Sequence, residues 1–131
     1  MTQMRSDGLG RARLAVIAAH GLIHLMGVAL LWKLGEVGQL RYADAVPAPD
    51  TAAGYVAGGL WLVAAVLFVA AAVLLAAGRA AWRITAVAGV VVSVPVIGLM
   101  PGQAMAGLVI DGLVLVLVAV SWLRIRKLPV T

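Results

Sequence analysis

The sequence predicts an all-α integral membrane protein, built as a bundle of four transmembrane helices within a single membrane domain, residues 1–131. The chain is 64% hydrophobic and only 11% charged, which lies far outside the usual composition of a soluble globular domain. Its apolar residues also collect into four runs, each close to the roughly 20 residues that a helix needs to cross about 30 Å of hydrocarbon. Backbone polar groups in lipid must bond to one another, and no run alternates as barrel strands do, so the runs are expected to be helices.

The predicted spans are about 14–32, 52–77, 82–100 and 104–123. The first follows a basic N-terminal segment and ends where the polar loop 33–51 begins. The connection MPGQA between the third and fourth runs is long enough only for a tight turn. Tryptophans stand at predicted span ends, as in an aromatic belt at the lipid–water boundary: Trp32, Trp82 and Trp122.

The positively charged residues predict the orientation of the bundle. Most of them lie before the first run, around the second turn and after the fourth run, at Arg5, Arg11, Arg13, Arg79, Arg83, Arg124, Arg126 and Lys127. Only Lys33 and Arg41 fall on the other side. The excess of positive charge marks the cytoplasmic side, so we expect an up-down-up-down bundle with both termini cytoplasmic and loop 33–51 external.

Two features exclude whole classes of function. The chain contains no cysteine, which removes disulfide frameworks, thiolate metal sites and thiol redox chemistry. Its net charge of +5 comes from residues at the ends of apolar runs rather than from a basic patch with interleaved aromatic residues, so no nucleic-acid partner is expected. The lipid bilayer is the expected partner.

Two histidines in the stretch AAHGLIHLMG mark the first candidate site. His20 and His24 are four residues apart, so on a helix they project from one face on successive turns. Gly27 lies on the same face, where its missing side chain allows another helix or a ligand to approach the histidines.

Asp111, in AGLVIDGLVLV, is the ionisable residue of the fourth run, and Gly107 lies one turn away on its face. At about 1.5 Å per residue, His24 lies roughly 12 Å below Trp32 and Asp111 roughly 10 Å beyond residue 104. The first and last helices of such a bundle are usually neighbours. We therefore expect Asp111 to contact His24, because an unpartnered carboxylate in hydrocarbon is costly.

The second and third runs each add one unusual residue. Trp61 lies well inside the second run, where packing is its expected role. Ser93 lies near the middle of the third run, close to Pro95, and is expected to bond back to its own helix. Both are taken as supporting residues of the site.

His20, His24 and Asp111 suit several kinds of ligand. Two histidines and a carboxylate match a divalent metal site with an open position. The same residues suit a proton relay or a quinone pocket. Haem fits less well, because two histidines on one helix face cannot reach opposite faces of one macrocycle, so a bis-histidine haem needs a second chain. A purely structural tie between helices is the remaining interpretation.

Three functions follow, and the leading one is a binding or redox-linked accessory protein with no catalytic role of its own. The second is a structural subunit of a larger membrane complex. The third is a small proton-coupled transporter working as a homodimer, although one carboxylate and two histidines offer little to a substrate.

The chain also resembles a known family. The elements HGLIHLMG, LLWK, GLWLVAA and GLVID are similar to those of small four-helix membrane proteins common in actinobacteria, a family whose members are often labelled ABC transporter permeases or uncharacterised proteins. The resemblance spans most of the chain, and HGLIHL is its specific part. It implies a multi-pass protein of the bacterial plasma (inner) membrane. A fainter similarity links the chain to DoxX-like four-helix proteins, in which helix 1 carries a glycine-rich segment ending in lysine.

Overall fold

The computed structural model describes residues 2–38 and 40–126 and is helical through most of that range. These residues form four α-helices, which we number α1 (Thr2–Leu31), α2 (Ala52–Ala76), α3 (Trp82–Gly98) and α4 (Pro101–Arg126). One 3-10 turn, Tyr42–Asp44, interrupts the loop between α1 and α2. No strand occurs in the described residues, so the predicted all-α, four-helix fold is confirmed.

The helix ends differ from the predicted spans mainly on α1 and α4. The first helix begins at Thr2 rather than near residue 14, because the apolar run marks only the part of the helix that can lie in lipid, and the basic segment before it continues the same helix. The last helix begins at Pro101 rather than near residue 104. Proline is well suited to the first helical position, where its missing N–H would have no partner in the helix.

Three stretches of helix are long and apolar enough to cross a membrane: Gly8–Leu31, Ala52–Ala76 and Ala104–Arg126. The remaining helix, α3, is apolar but has only 17 residues. Large apolar side chains, among them Leu22, Val66, Ile84 and Val109, are exposed on the outer faces of the bundle. These features are those of a membrane protein, whose helices turn apolar faces toward lipid.

Consecutive helices run antiparallel, as their contacts show. Gly27 of α1 lies against Trp61 of α2, whereas Gly21, nearer the start of α1, lies against Phe68, farther along α2. A methyl group added at Gly27 would overlap the Trp61 ring. Glycine at both positions therefore lets α2 pack closely on α1.

Helices α3 and α4 also run antiparallel. Ser93 contacts Asp111, while Arg83, ten residues earlier on α3, bonds to Ser121, farther along α4. The up-down-up-down connectivity thus agrees with the sequence prediction. Trp82 differs from the predicted aromatic belt. Its side chain is buried in the core with Phe68 rather than exposed at a lipid–water boundary.

The first and last helices meet only narrowly. The strongest packing joins α1 to α2, α2 to α3 and α3 to α4, so α1 and α4 close the bundle through a small area. That area contains the polar residues singled out from the sequence, and a cavity opens beside it.

Candidate functional site

The two histidines of α1 occupy the interior of the bundle. His20 and His24 are each 1% exposed, one helical turn apart, with ring centroids separated by 4.6 Å in an edge-to-face arrangement. Residues on adjacent turns of one face are brought together in this way by helix geometry alone. The sequence prediction that both project from one face agrees with this placement.

Asp111 contacts His20 rather than His24. The distance from His20 Nε2 to Asp111 Oδ1 is 2.7 Å, and Asp111 is 2% exposed. The expected direct contact between His24 and Asp111 is therefore wrong. The expectation failed because α4 begins at Pro101 and not near residue 104. Asp111 therefore lies about 15 Å along α4 from Pro101, and His20 lies about 16 Å along α1 from Leu31. The two residues lie at the same depth in the bundle.

Ser93 joins the second histidine to the carboxylate. His24 Nε2 lies 2.8 Å from Ser93 Oγ, and the Ser93 hydroxyl lies 2.8 Å from Asp111 Oδ2. The expectation that Ser93 bonds back to its own helix is thus wrong. A buried hydroxyl with two side-chain partners on other helices is better satisfied than one sharing a carbonyl already bonded within its helix.

A fourth bond fixes the orientation of the His24 ring. Its Nδ1 donates to the backbone carbonyl of His20 at 2.8 Å. A carbonyl oxygen can only accept, so the hydrogen resides on Nδ1. His20, His24, Ser93 and Asp111 form one continuous set of hydrogen bonds across α1, α3 and α4, which we call the polar network.

Aromatic rings of α2 cover the network. Phe68 lies 4.7 Å from the His20 ring and 5.3 Å from the His24 ring, and Trp61 lies 5.1 Å from the His24 ring, between ring centroids. Both aromatic side chains are largely buried. They shield one side of the imidazoles from water, and a less polar environment strengthens the hydrogen bonds of the network.

The two glycines predicted near the site receive different neighbours. Gly27 admits the Trp61 ring to the histidine face, as its position on that face suggests. Gly107 lies against the Ile97 side chain of α3, so it permits close packing of α3 on α4 and does not open a path to Asp111.

A cavity of about 390 Å³ lies beside the network, between α1 and α4 near the end where the long loop sits. Its walls are mostly apolar, and its polar side chains include His20 and His24. It is lined by His20, Ile23, His24, Met26, Gly27, Leu40, Trp61, Ile97, Met100, Gly102, Ala104, Ala106, Gly107 and Ile110. A mostly apolar cavity of this size with a few polar groups is typical of small-molecule sites.

The geometry gives no support to a metal centre. Among residues 2–38 and 40–126, no group of three or more histidine, aspartate or glutamate side chains is arranged to hold a metal ion. The reason is visible in the network, because His24 turns one nitrogen to a backbone carbonyl and the other to Ser93. Only His20 directly faces the carboxylate, and two ligands fall short of a zinc-type site.

Sequence reasoning missed a second polar link, at the opposite end of the bundle. Arg83 Nε donates to Ser121 Oγ at 2.7 Å, and Ser121 in turn donates to the carbonyl of Val118 at 2.7 Å. The Arg83 guanidinium also lies 5.5 Å from the centre of the Trp82 ring. A serine in the apolar run AVSWL was the available signal for this link.

No protein-family model, curated protein or solved structure matches the chain. Fold and site together define its class: a small four-helix protein with helices apolar enough to cross a membrane and a buried polar network at the α1–α4 junction.

Proposed function

We propose that the protein is a small plasma-membrane protein that binds a compact, ring-shaped apolar ligand, such as a quinone head group, in the cavity between α1 and α4. The observation that carries the proposal is the position of this cavity, directly beside the buried imidazoles of His20 and His24. Its role is accessory or redox-linked binding, in contact with the lipid bilayer, rather than catalysis by its own side chains.

The lining of the cavity supports a flat, apolar ligand. Trp61 supplies an aromatic face, and the side chains of Met26 and Met100 are unbranched and adaptable. The cavity lies where α1 and α4 pack least closely, so a ligand fills space that the helices leave open. A ligand that dissolves in lipid reaches such a site from the bilayer itself.

A second candidate, an accessory subunit without a ligand, is favoured by the bonding within the network. Both nitrogens of His24 and both oxygens of Asp111 have partners, and buried hydrogen bonds between helices tie the helices together. In this alternative, the exposed apolar faces of the bundle are the interface with a larger membrane complex or with a second copy of the chain.

Titration of a short-tailed benzoquinone into the protein in lipid nanodiscs separates the two candidates. Quinones quench tryptophan fluorescence, and Trp61 lines the cavity. We expect saturable quenching that is lost in Trp61→Phe but retained in Trp122→Phe, because Trp122 lies on the exposed surface. Quenching that never saturates, or that is equal in both variants, reflects partition into lipid and overturns ligand binding.

Two alanines of α4 provide a variant that fills the cavity and a matched control that does not. Ala106 lines the cavity, whereas Ala119 is exposed on the same helix between three and four turns away. Ala106→Phe should weaken quinone binding at least tenfold, and Ala119→Phe should leave it unchanged. Equal affinity in the two variants would favour the accessory-subunit function.

A further inference from the structure

We infer that the polar network is a proton-binding site. It holds one proton more than the number carried by an ionised Asp111, Ser93 and two neutral histidines together. This inference is independent of the ligand proposed above. It follows from the number of hydrogen bonds and the number of hydrogens available to form them.

The network contains four hydrogen bonds, and each needs one hydrogen. The bonds join His20 Nε2 to Asp111 Oδ1, Asp111 Oδ2 to Ser93 Oγ, Ser93 Oγ to His24 Nε2, and His24 Nδ1 to the His20 carbonyl. A neutral imidazole carries one ring hydrogen, a serine carries one, and a carboxylate carries none. Two neutral histidines and Ser93 therefore bring three hydrogens, one fewer than the four bonds require.

Without the fourth hydrogen, one contact of the network would be repulsive. The Ser93 hydroxyl has one hydrogen and faces both a carboxylate oxygen and an imidazole nitrogen at 2.8 Å. If it donates to Asp111, its lone pair faces the bare Nε2 of His24. If it donates to His24, its lone pair faces the carboxylate. Buried polar atoms at such distances are bonded rather than opposed.

The position of the extra proton is restricted to the arm that runs from Asp111 through Ser93 to His24. A proton added to His20 would sit on Nδ1, a buried atom that has no hydrogen-bond partner in the part of the chain that the structure describes. A buried N–H without an acceptor is costly. The extra proton therefore resides either on His24 Nε2, beside a carboxylate, or on Asp111 Oδ2, beside a neutral imidazole.

These two arrangements interconvert by the movement of two hydrogens, with none gained or lost. When the Nε2 hydrogen of His24 passes to Ser93 Oγ, the original Ser93 hydrogen passes to Asp111 Oδ2. The charge separation between imidazolium and carboxylate is then replaced by two neutral groups. Ser93 is thus a relay between α1 and α4, and the network has zero net charge in both arrangements.

Zero net charge suits the apolar surroundings of the network, because a lone buried ion is strongly disfavoured.

Along the described helices, the other titratable groups lie toward the helix ends, away from the network. On α2 the group is Tyr55, which bonds to Asp50; on α3 it is Arg83, which bonds to Ser121. The charged residues elsewhere on α1 and α4 are Arg5, Asp7, Arg11, Arg13, Arg124 and Arg126.

Nuclear magnetic resonance of the wild-type protein counts the hydrogens directly. The chain has only two histidines, so ¹⁵N-histidine labelling in bilayers gives four ring signals, assigned through the neighbouring backbone amides. We expect His20 protonated on Nε2 alone. We also expect either His24 protonated on both nitrogens beside an ionised Asp111, or His24 protonated on Nδ1 beside a carboxylic acid at Asp111.

The state of Asp111 is read from the ¹³C shift of its labelled carboxyl group. A carboxylate at Asp111 together with a bare Nε2 on His24 would leave three hydrogens and overturn the inference. A hydrogen on His20 Nδ1 would also overturn it, because the arm through Ser93 would then not be where the proton resides.

The variant Asp111→Asn provides an independent test, because the amide supplies the missing hydrogen. Its NH₂ group donates to Ser93, Ser93 donates to His24 Nε2, and its carbonyl accepts from His20, so all four bonds form without an extra proton. Above about pH 7, unfolded wild-type chains carry neutral histidine and ionised aspartate. Unfolding then releases one proton, so the unfolding equilibrium constant of the wild type should rise up to tenfold per pH unit.

Asp111→Asn should remove this dependence on pH, whereas Asp50→Asn should retain it, because Asp50 is exposed in the loop. Equal pH dependence in the wild type and Asp111→Asn would contradict the inference. The NMR count decides the question separately if the variant does not fold.

Discussion

Ser93 stands between His24 and Asp111, 2.8 Å from the Nε2 of one and 2.8 Å from the Oδ2 of the other. Through this one hydroxyl, α3 connects a histidine of the first helix to the carboxylate of the last. The α1–α4 junction is narrow, so it relies on a few buried polar bonds rather than on a broad apolar contact.

Removal of the Ser93 hydroxyl should therefore destabilise the bundle. Ser93→Ala leaves His24 Nε2 and Asp111 Oδ2 without their shared partner, and a buried polar group without a partner costs about 1–3 kcal/mol. Reversible unfolding in mixed micelles, followed by circular dichroism, measures the change. Ser121→Ala is the matched control, since it removes a buried serine at the other end of the bundle. Its partner Arg83 is only partly buried, so the guanidinium can turn to solvent when the hydroxyl is removed. A larger loss in the control would contradict the central position of Ser93.

Double-mutant cycles should distinguish the two histidines. His20→Ala and Asp111→Ala should be clearly less than additive, by about 1–3 kcal/mol, because they remove the same 2.7 Å contact. His24→Ala and Asp111→Ala should also be less than additive, but by a smaller amount, because their side chains are connected only through Ser93. In the Ser93→Ala background, the coupling of His24 to Asp111 should fall clearly, because the hydroxyl that bonds to both groups is gone. Strict additivity for His20 and Asp111 would show that their side chains do not meet.

The glycine at position 27 should resist substitution. Gly27→Ala places a methyl group within the volume of the Trp61 ring, and overpacking of this kind costs about 1–3 kcal/mol. Gly59→Ala on α2 is the control, because nothing lies within 4 Å of its added carbon and alanine favours the helix. The second change Trp61→Leu should partly restore the stability of Gly27→Ala. Equal stability of the two single variants would contradict the close approach of α2 to α1.

The proposed orientation in the membrane can be tested by labelling of single cysteines, because the chain contains none of its own. Cysteines replacing Gly8 and Ala80, both exposed, should react from the cytoplasmic side. A cysteine replacing Asp44, in loop 33–51, should react with an impermeant reagent added outside intact cells. Labelling of positions 8 and 44 from the same side would contradict a single crossing by α1.

The fold could be predicted from the sequence because the hydrophobicity of each run is a sum over many residues. Four apolar runs predict four helices whatever the detail of their packing, and the described structure contains those helices. Helix ends are set by a few residues, which explains why the start of α4 at Pro101 was missed.

The site was only partly accessible for the same reason. His20, His24 and Asp111 were recognisable as polar residues in apolar runs, but their pairing depends on helix register, and a shift of three residues in α4 exchanged one histidine for the other. The role of Ser93 required knowledge of how α3 is rotated about its axis, which apolar periodicity in a nearly uniform run does not reveal.

The contact between His20 and Asp111 is the central claim, because it defines both the junction of α1 with α4 and the network beside the cavity. The most direct measurement is the dipolar coupling between the His20 ring ¹⁵N and the Asp111 carboxyl ¹³C in bilayers. We predict a strong coupling for His20 Nε2 and a clearly weaker one for His24 Nε2, which reaches Asp111 only through Ser93. A strong coupling to His24, or none to His20, would contradict the account.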